Sequence, residues 1–265
     1  MKKYLIILLA LSLLGAIALT GCSQDEESER PTLVMGTSAG FPPFEFIASA
    51  GNEVIGQYAG IDLRLVRRIA EELGYDIEVR DMAFGGLIAS LQNREIDFIA
   101  AAMTIRPDRA EMVNFSVPYF DARQTIIINA GNTAITSVSD LEGKTVGVQF
   151  ATTAELAMTD DDVPYDIDVV SFNQPAVAMV DLLNGTIDAV VVDAPVARGF
   201  QRVHGDAIVL LTDEDFFGPE QFGMAFNLAD TELLARFNEV LTRLIAEGYV
   251  DELYDHYAAY FEAQN

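Results

Sequence analysis

The sequence predicts an α/β protein of two lobes, each a mainly parallel sheet flanked by helices, joined by a two-strand hinge. One observation is a repeat. Leu91-Gln-Asn-Arg-Glu-Ile-Asp97-Phe-Ile99 and Leu182-Leu-Asn-Gly-Thr-Ile-Asp188-Ala-Val190 share a helical apolar spacing, a short polar turn and an apolar strand. A second is that strands and helical spacings alternate through both halves, the signature of parallel sheets covered by helices. A third is a pair of segments placed to cross between the lobes, Gln124 to Asn129 outward and Phe216 to Phe226 back. Two such crossings can act as a hinge.

In chain order, Lys2 and Lys3 precede an apolar run from Tyr4 to Leu19 and then Leu19-Thr-Gly-Cys22, with no acidic residue before the cysteine. That is an export signal over residues 1–21. At 16 residues the run falls short of the roughly 18 or more expected of a spanning helix. Residues 22–31 are charged and polar and read as a flexible tether. Order should begin near Thr32. Leu33 to Gly36 reads as a strand, Phe41-Pro-Pro-Phe44 as an irregular loop, and Asp62 as the N-cap of a helix from Leu63 to Leu73 ended by Gly74. Strand 77–79, helix 85–93, strand 96–102 and a short helix near Pro107 to Met112 complete the first alternation. The second runs through strand 145–149, helix 152–158, strand 168–170, helix 175–184 and strand 189–192. Asp230 to Glu247 and Val250 to Phe261 have helical spacing, with Gly248 between them. The first lobe is therefore drawn as 32–123 and 217–265, the second as 124–216.

Composition narrows the partners. The chain has 265 residues, 16 basic and 41 acidic, for a net charge of −25, and loss of Lys2 and Lys3 with the leader takes this to near −27. Such a charge repels nucleic acid and anionic membranes, so no nucleic-acid partner is expected. Lys144 is the one lysine outside the leader, and the acidity fits either a saline habitat or an ordinary extracellular protein. Cys22 is the only cysteine, which leaves no internal disulfide. No cofactor or metal is expected, and a monomer is.

Each lobe carries an opposite charge just beyond an apolar strand. Arg109 follows Ala101-Ala-Met-Thr104-Ile-Arg-Pro-Asp, and Asp193 closes Val191-Val-Asp193. Ligands in open α/β sheets bind beyond the carboxyl ends of strands, so a cleft there would suit a zwitterion. A guanidinium can hold a carboxylate through two parallel bonds, and Thr104 could add its hydroxyl. Taken alone, Arg109 beside Asp108 reads equally as a surface ion pair, and Asp193 as a helix cap before Pro195. Gln149-Phe-Ala-Thr-Thr153 lies where a strand meets a helix, so its amides and the Thr153 hydroxyl could receive an anion or simply form an N-cap. Phe41 and Phe84 sit in loops and could flank a ligand, or pack in the core.

Across almost the whole mature chain the sequence resembles the bacterial extracellular solute-binding proteins of family 3, the amino-acid receptors of ABC importers. The matching segments are Phe41-Pro-Pro-Phe44-Glu-Phe46, Gly56-Gln-Tyr-Ala-Gly60-Ile-Asp62-Leu, Met103-Thr-Ile-Arg-Pro-Asp-Arg109, Val113-Asn-Phe-Ser-Val-Pro-Tyr119, Leu141-Glu-Gly-Lys144-Thr-Val-Gly-Val-Gln149 and the strand closing at Asp193. The resemblance implies a type II periplasmic-binding-protein-like fold closing on one free amino acid for delivery to a membrane permease. It implies that Arg109, Thr104 and Thr153 bind the α-carboxylate, that Asp193 and the Ala102 carbonyl bind the α-ammonium, and that Phe41 and Phe84 flank the ligand. Leu19-Thr-Gly-Cys22 resembles a bacterial lipobox, which implies a lipid anchor on Cys22 and a place at the outer face of the cytoplasmic membrane or in the periplasm. Three positions depart from the family. Ser38 stands where many relatives have an acid before the first aromatic, Ala151 replaces the usual glycine, and Arg106 replaces a common threonine. Without an acid at position 38, a neutral polar ligand is expected, lined by Gln149 and Val192, with a basic one as the runner-up.

Two other functions compete. The same scaffold carries dehydratases of the cyclohexadienyl or arogenate kind, but an enzyme needs a titratable group in the cleft, and His204, in a polar loop, and His256, in the last helix, do not supply one. No GxSxG, HExxH or phosphate-loop motif is present. A ligand-sensing receptor subunit is the other alternative. Retention of both Arg109 and Asp193 favours amino-acid capture.

Overall fold

A computed structural model describes residues 30–160 and 162–263; the leader, Cys22 and most of the tether lie outside them. The first lobe opens with β1 (Thr32–Thr37), the short strands β2 (Phe46–Ile47) and β3 (Tyr58–Ala59), helix α1 (Ile61–Leu73) and β4 (Asp76–Asp81). A 3-10 turn at Phe84–Gly86 leads into α2 (Leu87–Gln92), followed by β5 (Phe98–Ile99), α3 (Pro107–Ala110) and β6 (Asn114–Phe115). The chain crosses through β7 (Phe120–Ala122) into β8 (Gln124–Asn129). The second lobe adds β9 (Thr145–Gln149), α4 (Thr153–Thr159), β10 (Asp168–Phe172), α5 (Pro175–Leu183), β11 (Ala189–Asp193), α6 (Ala194–His204) and β12 (Ile208–Leu211). It returns through β13 (Glu220–Phe222) to β14 (Ala225–Phe226), then α7 (Thr231–Ala246) and α8 (Tyr249–Glu262).

The two sheets have matching plans, β4-β1-β5-β14-β6 and β10-β9-β11-β8-β12. In each, the fourth strand in that order runs against its neighbours, and it is the strand arriving from a crossing: β14 against β5 and β6, β8 against β11 and β12. The crossings themselves pair, β13 antiparallel to β7 with Phe222 opposite Phe120. Phe44 packs edge-on against both rings, with centroids at 4.9 Å from Phe120 and 5.1 Å from Phe222. Such aromatic contacts fix the hinge strands under the first lobe's ligand-facing loop.

Four sequence expectations are corrected. Helix α1 begins at Ile61, with Gly60 at the N-cap position, so Asp62 is no cap. Gly60 has φ +132°, and a Cβ there would lie 2.0 Å from the Phe44 carbonyl oxygen, so only glycine fits. Asp62 is fully buried and accepts hydrogen bonds from the Ala102 N–H (2.8 Å) and the Tyr119 hydroxyl (2.8 and 2.9 Å). The strand expected over 96–102 is only Phe98–Ile99, because Ala102 adopts φ +45° and turns the backbone out of the sheet. Third, His204 ends an eleven-residue helix that the sequence reading missed, although Pro195 in the first turn and the buried Val196, Ala197 and Phe200 signal it. Fourth, the expected helix 85–93 starts as a 3-10 turn and is helical only from Leu87 to Gln92.

Asp62 has a measurable consequence. Burial raises its pKa to about 7, although the bonds from Ala102 and Tyr119 favour the charged form. The folded protein therefore keeps a proton that the unfolded chain releases near pH ~4. The contribution is complete below about pH 4 and is lost as pH rises through about 7. Asp62→Asn does not titrate, so the parent-minus-variant stability difference from urea unfolding should fall by about 4 kcal/mol between roughly pH 4 and 8. A difference that stays flat with pH would show that this carboxyl titrates alike in both states.

Candidate functional site

The carboxyl ends of the parallel strands of both sheets converge on one narrow cleft, with Ser38, Phe41, Glu45, Phe84, Ala101, Ala102, Thr104 and Arg109 on one side and Gln149, Thr152, Thr153 and Asp193 on the other. The loop after β1 is shaped by its own backbone. The N–H groups of Gly40 and Phe41 both donate to the Glu45 carbonyl, and the Ala39 N–H donates to Asp81. That tight return brings Glu45 beside Phe41 at the cleft wall.

Arg109 is no surface ion pair. It is 3% exposed, and its neighbour Asp108 is engaged instead by Arg106 at 2.7 Å, which holds the Asp108 carboxyl down at about 2. The Arg109 guanidinium donates to the Thr104 carbonyl (2.9 Å) and, across the cleft, to the Ala151 carbonyl (3.0 Å), and lies 5.3 Å from the centre of the Phe84 ring. Burial lowers its pKa to about 10, which leaves it charged at neutral pH. Two carbonyls and one ring fix its plane while leaving it without a carboxylate partner within ion-pair distance among the described residues.

Asp193 stands at the N-cap position of α6, yet its side chain makes no capping bond. It is turned into the cleft and accepts from Gln124 Nε2 at 2.9 Å. Burial raises its pKa, as does the nearby Glu220. Thr153 lines the cleft with its hydroxyl buried and unpartnered. The cap of α4 is Thr152, which accepts from the Glu155 N–H, while the Ala151 N–H donates to the Glu155 side chain. Ala151 sits at φ +62°, a left-handed conformation that favours glycine.

Nine of the ten ligand-contact residues read from the sequence lie on the cleft: Arg109, Asp193, Thr104, Thr153, Ala102, Phe41, Phe84, Gln149 and Ser38. Val192 does not. Strand side chains alternate, so Val192 shares the face of Val190 and packs in the core, one residue out of phase with Asp193. The Thr104 hydroxyl donates to Glu220 at 3.1 Å, so its proton is directed at the hinge.

The sequence reading missed Glu45. Its side chain is 1% exposed on the cleft wall, and one carboxylate oxygen has no hydrogen-bond partner. Burial pushes its pKa well up, with Asp62, Asp193 and Asp81 adding to the shift. The expectation that no acid beyond Asp193 lines the cleft is therefore corrected, since Ser38 supplies none but Glu45 does. Its one trace in the sequence is a lone carboxylate between Phe44 and Phe46, which does not by itself show that the acid is buried.

Comparison with known proteins agrees with this architecture. The family model described as bacterial extracellular solute-binding proteins, family 3, matches residues 33–260. The arginine-binding extracellular protein ArtP of Bacillus subtilis is 30% identical, covering 96% of this chain and 96% of its own. The L-arginine-binding protein of Pseudomonas aeruginosa is 32% identical over 94% of this chain and 96% of its own. A solved structure of an ancestral arginine-binding protein bound to arginine superposes with a TM-score of 0.78 at 35% identity, covering 86% of this chain and 98% of that one. The chain belongs to the bacterial extracellular solute-binding proteins, family 3, and is a two-lobed binding protein rather than an enzyme.

Proposed function

We propose that the protein captures a free basic L-amino acid between its lobes and delivers it to the membrane permease of an ABC importer. Glu45 carries this reading. Arg109 and Asp193 are placed to match the α-carboxylate and α-ammonium, with Thr153 and the Ala102 carbonyl beside them. Once that zwitterion is neutralised, the Glu45 carboxylate remains, buried and with a free oxygen. A guanidinium or ammonium at the end of the ligand side chain would pair it and return its pKa toward the ordinary range. Phe41 and Phe84 would sandwich the aliphatic stem. The names of the relatives above support the same class. A neutral amide ligand is the second reading, because a protonated Glu45 could donate to a side-chain carbonyl.

Thermal shift across the twenty amino acids should give the largest stabilisation with arginine or lysine, since a ligand that binds only the folded state raises stability with its concentration. By calorimetric titration, Arg109→Ala should weaken binding by about thirty-fold to several thousand-fold, the effect of about 2 to 5 kcal/mol for truncating one side of a buried charge pair. Glu45→Gln should cost arginine about ten- to hundred-fold, as loss of a charged hydrogen bond does, while glutamine binding changes little. Larger shifts from neutral amino acids would establish the second reading.

We take 32–123 and 217–265 as the first lobe and 124–216 as the second, with the return leaving the second lobe's core only after Phe217. Ahead of them we place a cleaved leader at 1–21 and a lipid-bearing Cys22 that tethers a monomer to the outer face of the cytoplasmic membrane or within the periplasm. Cys22→Ala should be released into the soluble fraction or remain unprocessed, as read by membrane fractionation and the mass of the mature protein. Normal processing with full membrane retention would refute the anchor.

A further inference from the structure

We propose that Glu220, on the strand returning to the first lobe, forms with Asp193 a carboxylate pair that shares one proton in the unliganded protein and releases it when the ligand's ammonium group binds. The proposal rests on the amino-acid reading above but not on the ligand's side chain.

Three chain segments meet at the floor of the cleft. Gln124 and Asp193 face each other in register where β8 and β11 pair, and Glu220 begins β13, opposite Ala122 of β7. A single amide nitrogen, Gln124 Nε2, lies 2.9 Å from Asp193 Oδ1 and 3.2 and 3.1 Å from the two Glu220 oxygens. Thr104 adds a hydroxyl to Glu220 at 3.1 Å. Neither carboxylate has an ion-pair partner within 4 Å among the described residues. The titratable groups that face them are Arg109, Arg106 and Glu45: Arg109 is bonded to two carbonyls, Arg106 to Asp108, and Glu45 is a third acid, held toward its neutral form by burial.

Two acids that share one amide donor at a largely buried site do not both ionise readily, because each charge raises the cost of the other. Burial pushes both upward, and for Asp193 the neighbouring Glu220 is the next cause. An arriving ammonium supplies the missing positive charge, after which both carboxylates ionise and the proton passes to solvent. Charge balances: the pair goes from one negative charge to two as the ligand brings one positive. Glu220 acts here as a positioning and proton-holding residue, since it lies behind Asp193, Gln124 and Thr104.

Calorimetric titration of the mature protein with arginine, near pH ~6.5 in buffers of different ionisation enthalpy, counts the protons exchanged. Because arginine also pairs Glu45 and can free its proton, the count for this pair is read in Glu45→Gln, which should release up to about one proton, with affinity rising up to about tenfold per pH unit while the pair titrates. Adding Glu220→Gln, which keeps an acceptor for Thr104 and Gln124, should leave binding with little proton release. Binding without proton release by Glu45→Gln, or equal release after Glu220→Gln is added to it, overturns the proposal. If arginine does not bind, the basic-ligand reading fails, and glutamine, with the same α-ammonium, becomes the probe for the same count. Binding of neither amino acid overturns both.

Discussion

Negative charge buried without a matching positive one is the constraint on which this cleft depends. Glu45 and Asp193 are buried and Glu220 is half-buried around a region where Arg109 is bonded to carbonyls rather than to any of them. Removing a carboxylate from water costs several kcal/mol unless hydrogen bonds or an opposite charge compensate. Gln124 and Thr104 supply hydrogen bonds to two of the three, and the third keeps a bare oxygen. A protein tolerates such a deficit where a ligand is to supply the difference, and a cationic amino acid supplies both an α-ammonium and a second positive group.

The fold makes that deficit possible by building the cleft from strand ends that meet only because the chain crosses twice. Each sheet takes its reversed strand from a crossing, so β8 brings Gln124 and β13 brings Glu220 to the floor between Thr104 and Asp193. Phe44, Phe120 and Phe222 pack that crossing from the first-lobe side. The same loop that contributes Phe44 to the hinge contributes Phe41 and Glu45 to the cleft. Packing at the hinge and part of the cleft wall are therefore set by one six-residue segment.

Much of this was legible in the sequence, for physical reasons that differ by element. The repeat around Leu91 and Leu182, the glycines at positions 74 and 248, and the isoleucine-rich β8 each carry a local signal, and the structure reproduces those elements within a residue or two except the strand after Leu91, which shortens to Phe98–Ile99. Arg109 and Asp193 were readable because charge beyond an apolar strand end is a place as well as a type. Glu45 was not, because its burial is decided by a loop that folds back through the Glu45 carbonyl, and no periodicity encodes that return. Val192 was misplaced by a single step of strand alternation. Glu220 and Gln124 escaped because their significance lies in a meeting of residues 96 positions apart.

Backbone strain explains why the ligand-facing turns were hard to read as well. Ala102 and Ala151 hold φ of +45° and +62° on opposite sides of the cleft, where an alanine pays about 1 to 2 kcal/mol relative to the right-handed region. For Ala102 the Asp62 carboxylate holds the N–H, and for Ala151 the Glu155 carboxylate holds the N–H while Arg109 binds the carbonyl. A glycine at 151 would relieve the strain but remove a methyl that meets the first lobe: a Cβ built on Gly85 would come within 3.1 Å of the Ala151 Cβ and 2.8 Å of the Phe150 ring. The bare Gly85 thus accommodates the alanine opposite. A side chain at position 85 would therefore press on Ala151 and the Phe150 ring, so substitution at one of these positions is coupled to the other.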